Sequence, residues 1–316
     1  LRYTTRVKAG ILSRHFVKEI AMPLFGRSDG TLVKNLAPVR AMIPYLMLGR
    51  NESIVYHEEI VELTKTLSFL ERWNAVHERK LTVFHLLVAG CAHGLWARPG
   101  LNRFVSGKRI YERKGVQISF AAKMKFKDEA PLVTVKIEAE KDEPVMSLVD
   151  KLYGSVGEGR SGKTRTVDKE LKLALALPSW LLSIVMGRLR WLDSVNLLPA
   201  SMIKSDPMYA SVFLGNLGSV GIDRTWHHLY EYGNISLFGV LGTIRKYVMV
   251  DDNNQPVVRD AVSVRWSFDE RINDGFYTAA SMKLCGEVMV DPERFLGEEL
   301  AKAEAAHKQA GAAVAS

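Results

Sequence analysis

The chain has 316 residues, 47% of them hydrophobic and 25% charged, which excludes a disordered or collagen-like polymer and allows one or two buried cores. A formal net charge of +8 favours polyanionic partners such as a phosphorylated cofactor or acidic lipid. No RNP-type, zinc-finger or helix-turn-helix pattern points to nucleic acid, which is therefore not expected as a partner.

Cys91 and Cys285 lie far apart in apolar segments. Neither a disulfide framework nor metal spacing is expected, which suits a reducing compartment. The longest apolar run, 173–186, is interrupted by Pro178 and falls short of the ~18 residues that a bilayer span requires. With no compact signal region at the start, the expectation is a soluble cytoplasmic protein.

In chain order, residues 1–22 place Val7, Ile11, Leu12 and Phe16 at helical spacing with Arg6, Arg14 and Lys18 elsewhere on the wheel. That suits either a helix lying on a membrane or an arm packed on its own domain or a neighbour. Pro23 and "GRSDG" make a loop, and the arm is drawn as residues 1–38. A helix is predicted over 39–48 around Pro44, a strand over 53–63, and a helix over 81–102 ended by Pro99–Gly100. "GKRIYER", "GVQISFAAKM" and "PLVTVKIEAE" read as strands, and 145–156 and "TVDKELKLALAL" as helices. Strands dominate the last third: 210–218, 234–242, a hairpin with its turn at Asp252–Asn254, and 261–270. A closing helix, "FYTAASMKLCGEVMVD", precedes an Ala-rich tail drawn as 299–316. Helices and strands mix without strict alternation, so the class is α/β with a largely mixed sheet.

"GEGRSGKT" at 157–164 matches the phosphate-binding pattern, with Gly157, Gly162, Lys163 and Thr164 in its fixed places. That loop needs a buried strand before it and a helix after it, so that backbone N–H groups surround the phosphates. Here Leu148, Leu152 and Val156 recur every four residues, which is a helix. The match reads as accidental, and no bound nucleotide is expected.

A more specific pattern is "RWSFDERINDG" (265–275), preceded in order by "SVFLGNLGSVG" (211–221) and by "ISLFGVLG" and "PVVRD". These resemble the catalytic domain of the dihydrolipoyl acyltransferases of 2-oxoacid dehydrogenase complexes, whose strands carry S-x-D-H-R-x-x-D-G, T-I-S-N-x-G-S-x-G, A-I-L-G-V-G and P-V-V-R-D-G. Weaker similarity extends upstream, so the resemblance covers roughly 39–170 and 210–298, and the acyltransferase-like domain is drawn as 39–298. It implies a chloramphenicol-acetyltransferase-like mixed sheet with flanking helices. It also implies a homotrimer with sites between subunits, larger cages being open, and CoA or a lipoyl-type thiol as substrate, with no metal.

Two departures fall at the chemistry. The motif histidine, the base that deprotonates a thiol, is replaced by Glu270, and the serine that hydrogen-bonds the oxyanion by Gly215. A carboxylate of ordinary pKa is a much weaker base than an imidazole. Losing one oxyanion donor costs about 100- to 1,000-fold in rate. Ser211 lies about 13 Å along the strand from Gly215, too far to substitute, whereas Ser219, past the turn, is a less excluded donor, and Asn216 and Ser219 are the candidate substrate-binding residues. Asp274 matches the motif aspartate, expected in an ion pair, and Gly275 the tight reversal after it. Asp269 and Arg271 are expected on one strand face holding partners beneath it. Asn216, with Gly218, is expected to keep the earlier turn.

The lipoyl and subunit-binding domains of the resembled enzymes are not read ahead of this core. Residues 171–210 form an apolar helical insertion with Trp180, Trp191, Arg188 and Arg190. It suits either a membrane-interface or partner-binding hairpin, or extra core and oligomer packing. His227 and His228 read as surface or packing residues on opposite strand faces. His57 marks a strand end, and the Lys and Arg of 108–114 form a loop able to attract a CoA phosphate. Two functions stay open. One is a divergent acyltransferase working between CoA and a thiol, with Glu270 and Asp274 as the candidate catalytic residues and Glu270 as base or the substrate assisting. The other is a catalytically inactive trimeric or cage-forming scaffold.

Overall fold

The structure, a computed structural model, describes residues 26–123, 132–160 and 175–315. Three residues of the expected N-terminal arm already form β1 (Gly30–Leu32), followed by α1 (Pro38–Leu46) with Pro44 inside it. Pro44 has no N–H to donate to the carbonyl one turn back, and α1 ends two residues later. The β-branched run at 54–62 is β2 (Ile54–Glu62).

Next comes α2 (Thr64–Val76), a helix the sequence analysis did not place. Its signal was present: Thr66, Phe69, Leu70 and Trp73, at helical spacing, are its buried residues. Thr82 caps α3 (Val83–Ala97), its hydroxyl accepting the His85 N–H. Strands β3 (Arg103–Ser106) and β4 (Arg109–Arg113) form a hairpin that β1 joins in a small three-stranded sheet.

Then follow β5 (Val116–Lys123), β6 (Leu132–Ala139) and α4 (Val145–Arg160). Gly157 lies within α4, where no phosphate loop exists, and Gly162, Lys163 and Thr164 fall outside the described residues. The helix expected in "TVDKELKLALAL" falls largely outside them too. The insertion supplies α5 (Ser179–Ser194) and α6 (Ala200–Ser205).

The last third holds β7 (Val212–Asn216), β8 (Leu237–Leu241), β9 (Arg245–Val250) and β10 (Pro256–Asp269). The hairpin's second arm and the motif strand are one continuous element, β10. Helix α7 (Gly275–Val290) follows, and α8 (Pro292–Ala315) runs straight through the expected tail boundary, with Leu296 and Leu300 buried.

The large sheet runs β2-β10-β8-β7-β5-β6, with β9 beside the start of β10. Pairs β5–β7 and β7–β8 are parallel and the others antiparallel. One face carries the main core: Val212, Leu214, Val264 and Trp266 meet Leu87, Cys91 and Met282 from the helices. The opposite face holds a smaller cluster of Phe213, Phe238 and Val240 under Leu229 and Ile235. Period-two alternation therefore puts Gly215 on this second face, with Phe213.

Candidate functional site

The turn after β10 is fastened on several sides. Buried Asp269 accepts from the Arg271 backbone N–H (3.0 Å), Nε (2.8 Å) and Nη2 (2.7 Å), and Arg271 Nη1 donates to the carbonyls of Met47 and Leu48, both at 3.0 Å. The expectation of a shared strand face is corrected: β10 stops at Asp269, and the two residues hold each other. Between them, Glu270 donates its N–H to the Ser53 carbonyl (3.0 Å) and accepts at its own carbonyl from Arg40 Nη1 (2.9 Å). The half-buried Glu270 carboxylate takes no hydrogen bond or ion pair among the described residues.

Asp274 is exposed and caps α7 by accepting the Tyr277 N–H at 2.8 Å, in place of the expected ion pair. Gly275 is the first residue of that helix, and a Cβ there would meet nothing, so the chain reversal does not rest on it.

At the other end of the site, a Cβ on Gly215 would make ordinary contact with Phe238 Cε1 at 3.6 Å, so a Cβ fits there. Ser219 donates its N–H to Asn216 Oδ1 (3.2 Å) and its hydroxyl to the Asn216 carbonyl (2.7 Å), which closes the turn after β7 and commits both donors within it. A Cβ on Gly218 would collide with the Gly242 carbonyl, so glycine is required there. Ser211 is buried, its hydroxyl accepting the Gln117 N–H.

His227 and His228 lie in an irregular segment rather than on a strand, and their rings stack at 4.8 Å instead of pointing apart. His227 also stacks on Phe238, centroid to centroid 3.9 Å at 8°, and Phe238 in turn is the side chain beside Gly215. The His227 Nδ1 lies 2.7 Å from the His228 carbonyl oxygen. A carbonyl only accepts, so Nδ1 carries the proton, and Nε2, the acceptor, takes no hydrogen bond among the described residues. Burial pushes the His227 pKa below its ordinary value, which favours the neutral ring. The Ser267 hydroxyl donates to the His227 carbonyl and anchors the segment on β10. Sequence reasoning set His227 aside, and no local pattern marks it; only its stacking on Phe238 does.

Gly215 and Glu270 do not meet within one chain. Gly215 pairs with Val240, and Val240 with Arg265. Glu270 lies about 17 Å beyond that level along the strand direction, at roughly 3.4 Å per residue.

Two basic cavities adjoin the insertion. One, of about 180 Å³, is lined by Arg50, Lys108, Arg190 and Arg271 with Asp193 and Glu231. Arg50 is buried and donates to the carbonyls of Tyr230, Glu231 and Gly233. The other, of about 460 Å³, includes Asp29, Arg113, Lys114, Lys136 and Lys204. Lys136 Nζ donates to the carbonyls of Ile203, Asp206 and Tyr209, and burial lowers its pKa to about 8. The cations of the 108–114 segment thus divide between the cavities. Exposed His57 sits inside β2, with Glu58 beside it paired to Arg265 at 2.9 Å. Among the described residues no group of metal ligands forms, and no helix is long and apolar enough to cross a membrane.

This mixed sheet with helices on one face is the chloramphenicol-acetyltransferase-like fold, here in a divergent sequence. The chain is similar to the dihydrolipoamide acetyltransferase of Azotobacter vinelandii, in which a serine, a histidine and an asparagine have been investigated for their catalytic role. Identity to it is 19% over 87% of this chain and 100% of that one, with a TM-score of 0.56. A probable dihydrolipoamide acetyltransferase of Listeria monocytogenes matches at 16% identity over 82% of this chain and 94% of that one, TM-score 0.54. Chloramphenicol acetyltransferase matches at 9% identity over 82% and 99%, TM-score 0.50. No protein-family model and no curated protein matches the sequence.

Proposed function

We propose that the chain is a divergent acyltransferase that moves an acyl group between CoA and a lipoyl-type thiol, at a site shared between subunits of a homotrimer. The observation that carries this reading is His227, whose Nδ1 is committed to the His228 carbonyl and whose ring stacks on Phe238, the side chain beside Gly215. In this reading Nε2 takes the proton of the incoming thiol, and the thiolate attacks the thioester carbonyl. The C–S bond to the leaving sulfur then breaks, and the proton passes from Nε2 to that sulfur. An imidazole is better matched to a thiol near neutral pH than the Glu270 carboxylate is. Glu270, on its fastened turn, faces the site from the neighbouring subunit, since about 17 Å keeps it from Gly215 in its own chain. In the Azotobacter enzyme the investigated histidine and asparagine are four positions apart, the spacing of Glu270 and Asp274 here. Lys108, the cation of the smaller cavity that lies outside α5 and takes no carbonyl or carboxylate among the described residues, suits a phosphate of CoA.

The test is acetyl transfer from acetyl-CoA to dihydrolipoamide, followed by chromatography of the acetylated product. His227→Gln is expected to slow it at least about 100-fold, and Glu270→Gln by less than about tenfold. Gly215→Ser, whose Cβ the fold accommodates, is expected to raise the rate by about 100-fold through the restored oxyanion donor. No transfer by either the native chain or Gly215→Ser overturns the reading.

One observation favours a second reading, a non-catalytic trimeric or cage-forming scaffold: Gly215 brings no hydroxyl, and that of Ser219 is committed to Asn216. Calorimetric titration separates the two. A trimer that binds no CoA up to millimolar concentration leaves the scaffold.

A further inference from the structure

Helix α5 has no buried residue, although apolar side chains surround most of its circumference. Its inward side rests Leu189 and Leu192 against Leu198, Ile203 and Tyr209. The helix's one acid, Asp193, also points inward, to Arg27 at 2.8 Å. The outward side is different. Trp180 is 65% exposed, Ile184 53% and Trp191 53%, and a Cβ on Gly187 would touch nothing. At 100° per residue these four positions fall within an arc of about 60°, and the two tryptophans stand about 17 Å apart along the axis. On the same wheel Arg188 and Arg190 project about 80° to either side of the stripe. Both are exposed, Arg190 at the rim of the smaller cavity, and neither has an ion-pair partner among the described residues. The outward half of α5 is thus an apolar strip with a tryptophan near each end and a cation on each flank, and it bears no anion.

We propose that α5 docks the protein on an anionic lipid bilayer, lying in the plane of the interface. Trp180, Ile184 and Trp191 enter the headgroup–acyl boundary, and Arg188 and Arg190 meet lipid phosphates on either side. Charge complementarity selects this occupant. A second protein subunit seated on the strip would bury two guanidinium groups at its margins and would have to bring two acids to match them. A phosphate-bearing surface supplies partners along both flanks at once and tolerates Trp at this depth. The formal net charge of +8 acts in the same direction. No described helix is long and apolar enough to cross, so the helix lies on the membrane. The inference is independent of whether the site transfers acyl groups.

Sedimentation of the full chain with vesicles tests it, comparing pure phosphatidylcholine with a mixture containing phosphatidylglycerol. The native chain is expected to co-sediment with the anionic vesicles only, more strongly at low salt, with its tryptophan emission shifted to the blue. Trp180→Ala with Trp191→Ala is expected to weaken binding at least tenfold, as is Arg188→Glu with Arg190→Glu. Because none of these side chains is buried, the variants are expected to keep the native circular dichroism spectrum. Three results overturn the proposal: no binding to anionic vesicles; binding that survives both double changes, which assigns it to another segment; or an oligomer that the tryptophan changes break into monomers, which makes the strip a subunit contact.

Discussion

At Asp274 a motif position serves a role that only local geometry reveals. Its carboxylate accepts the Tyr277 N–H and so satisfies one of the donors that the first turn of α7 leaves open. Asp274→Ala is expected to cost about 1 kcal/mol, read as a fall in Tm of about 2 °C, whereas Asp274→Asn keeps the acceptor and most of the stability. Glu270 is the opposite case. Its backbone is held at both N–H and carbonyl, yet its carboxylate is bound by nothing described, so the fold presents this side chain without using it. Both positions were legible as motif residues in the sequence. Their roles were not, because a hydrogen bond depends on where a neighbouring N–H points.

Among the elements, the crossing of α3 on α7 determines how the main core closes. A Cβ on Gly90 would collide with the Cys285 carbonyl, and one on Gly94 with its sulfur, so the two glycines let the helices approach closely. The same approach brings Cys91 against Cys285, and their hydrogen bond together with burial pushes the Cys91 thiol well above its usual pKa. Also on α3, His85 packs edge-on against Tyr153 with its Nδ1 buried and unpartnered. Burial lowers its pKa from 6.5 to about 4. Between those values the unfolded chain binds more protons than the folded one, so this contribution is complete above about pH 6.5 and is lost as pH falls toward 4. The loss is expected to reach at most about 3 kcal/mol. Denaturant unfolding at pH 7 and pH 4.5 measures it, and His85→Gln is expected to flatten the difference between the two.

For the whole molecule, the separation of Gly215 from Glu270 along the sheet makes assembly part of the proposed chemistry. Exposed Val39, Leu46 and Leu48, at and just beyond α1, and exposed Phe276 beside Asp274 form apolar surface next to the fastened turn, which suits coverage by a neighbouring subunit. Light scattering is expected to give three times the 35.4 kDa chain mass. Phe276→Asp is expected to shift that mass toward the monomer and to abolish acyl transfer with it. A native chain that stays monomeric at micromolar concentration contradicts the shared site.

The sequence by itself determined the local parts: the strands and helices whose apolar residues recur at two or 3.6, the mixed α/β class, and the ordered motifs that resemble an acyltransferase core. It also showed that a helix precedes the phosphate-loop match and that Glu270 and Gly215 stand where the resembled enzymes carry histidine and serine. These are properties of neighbouring residues, fixed by backbone geometry. Tertiary structure alone decided which distant residues meet. It stacked His227 on Phe238, closed Asp269 on Arg271, and seated α5 with Asp193 inward and its tryptophans outward. Such juxtapositions arise when the chain closes over long loops to bury its core, and no short-range periodicity encodes them.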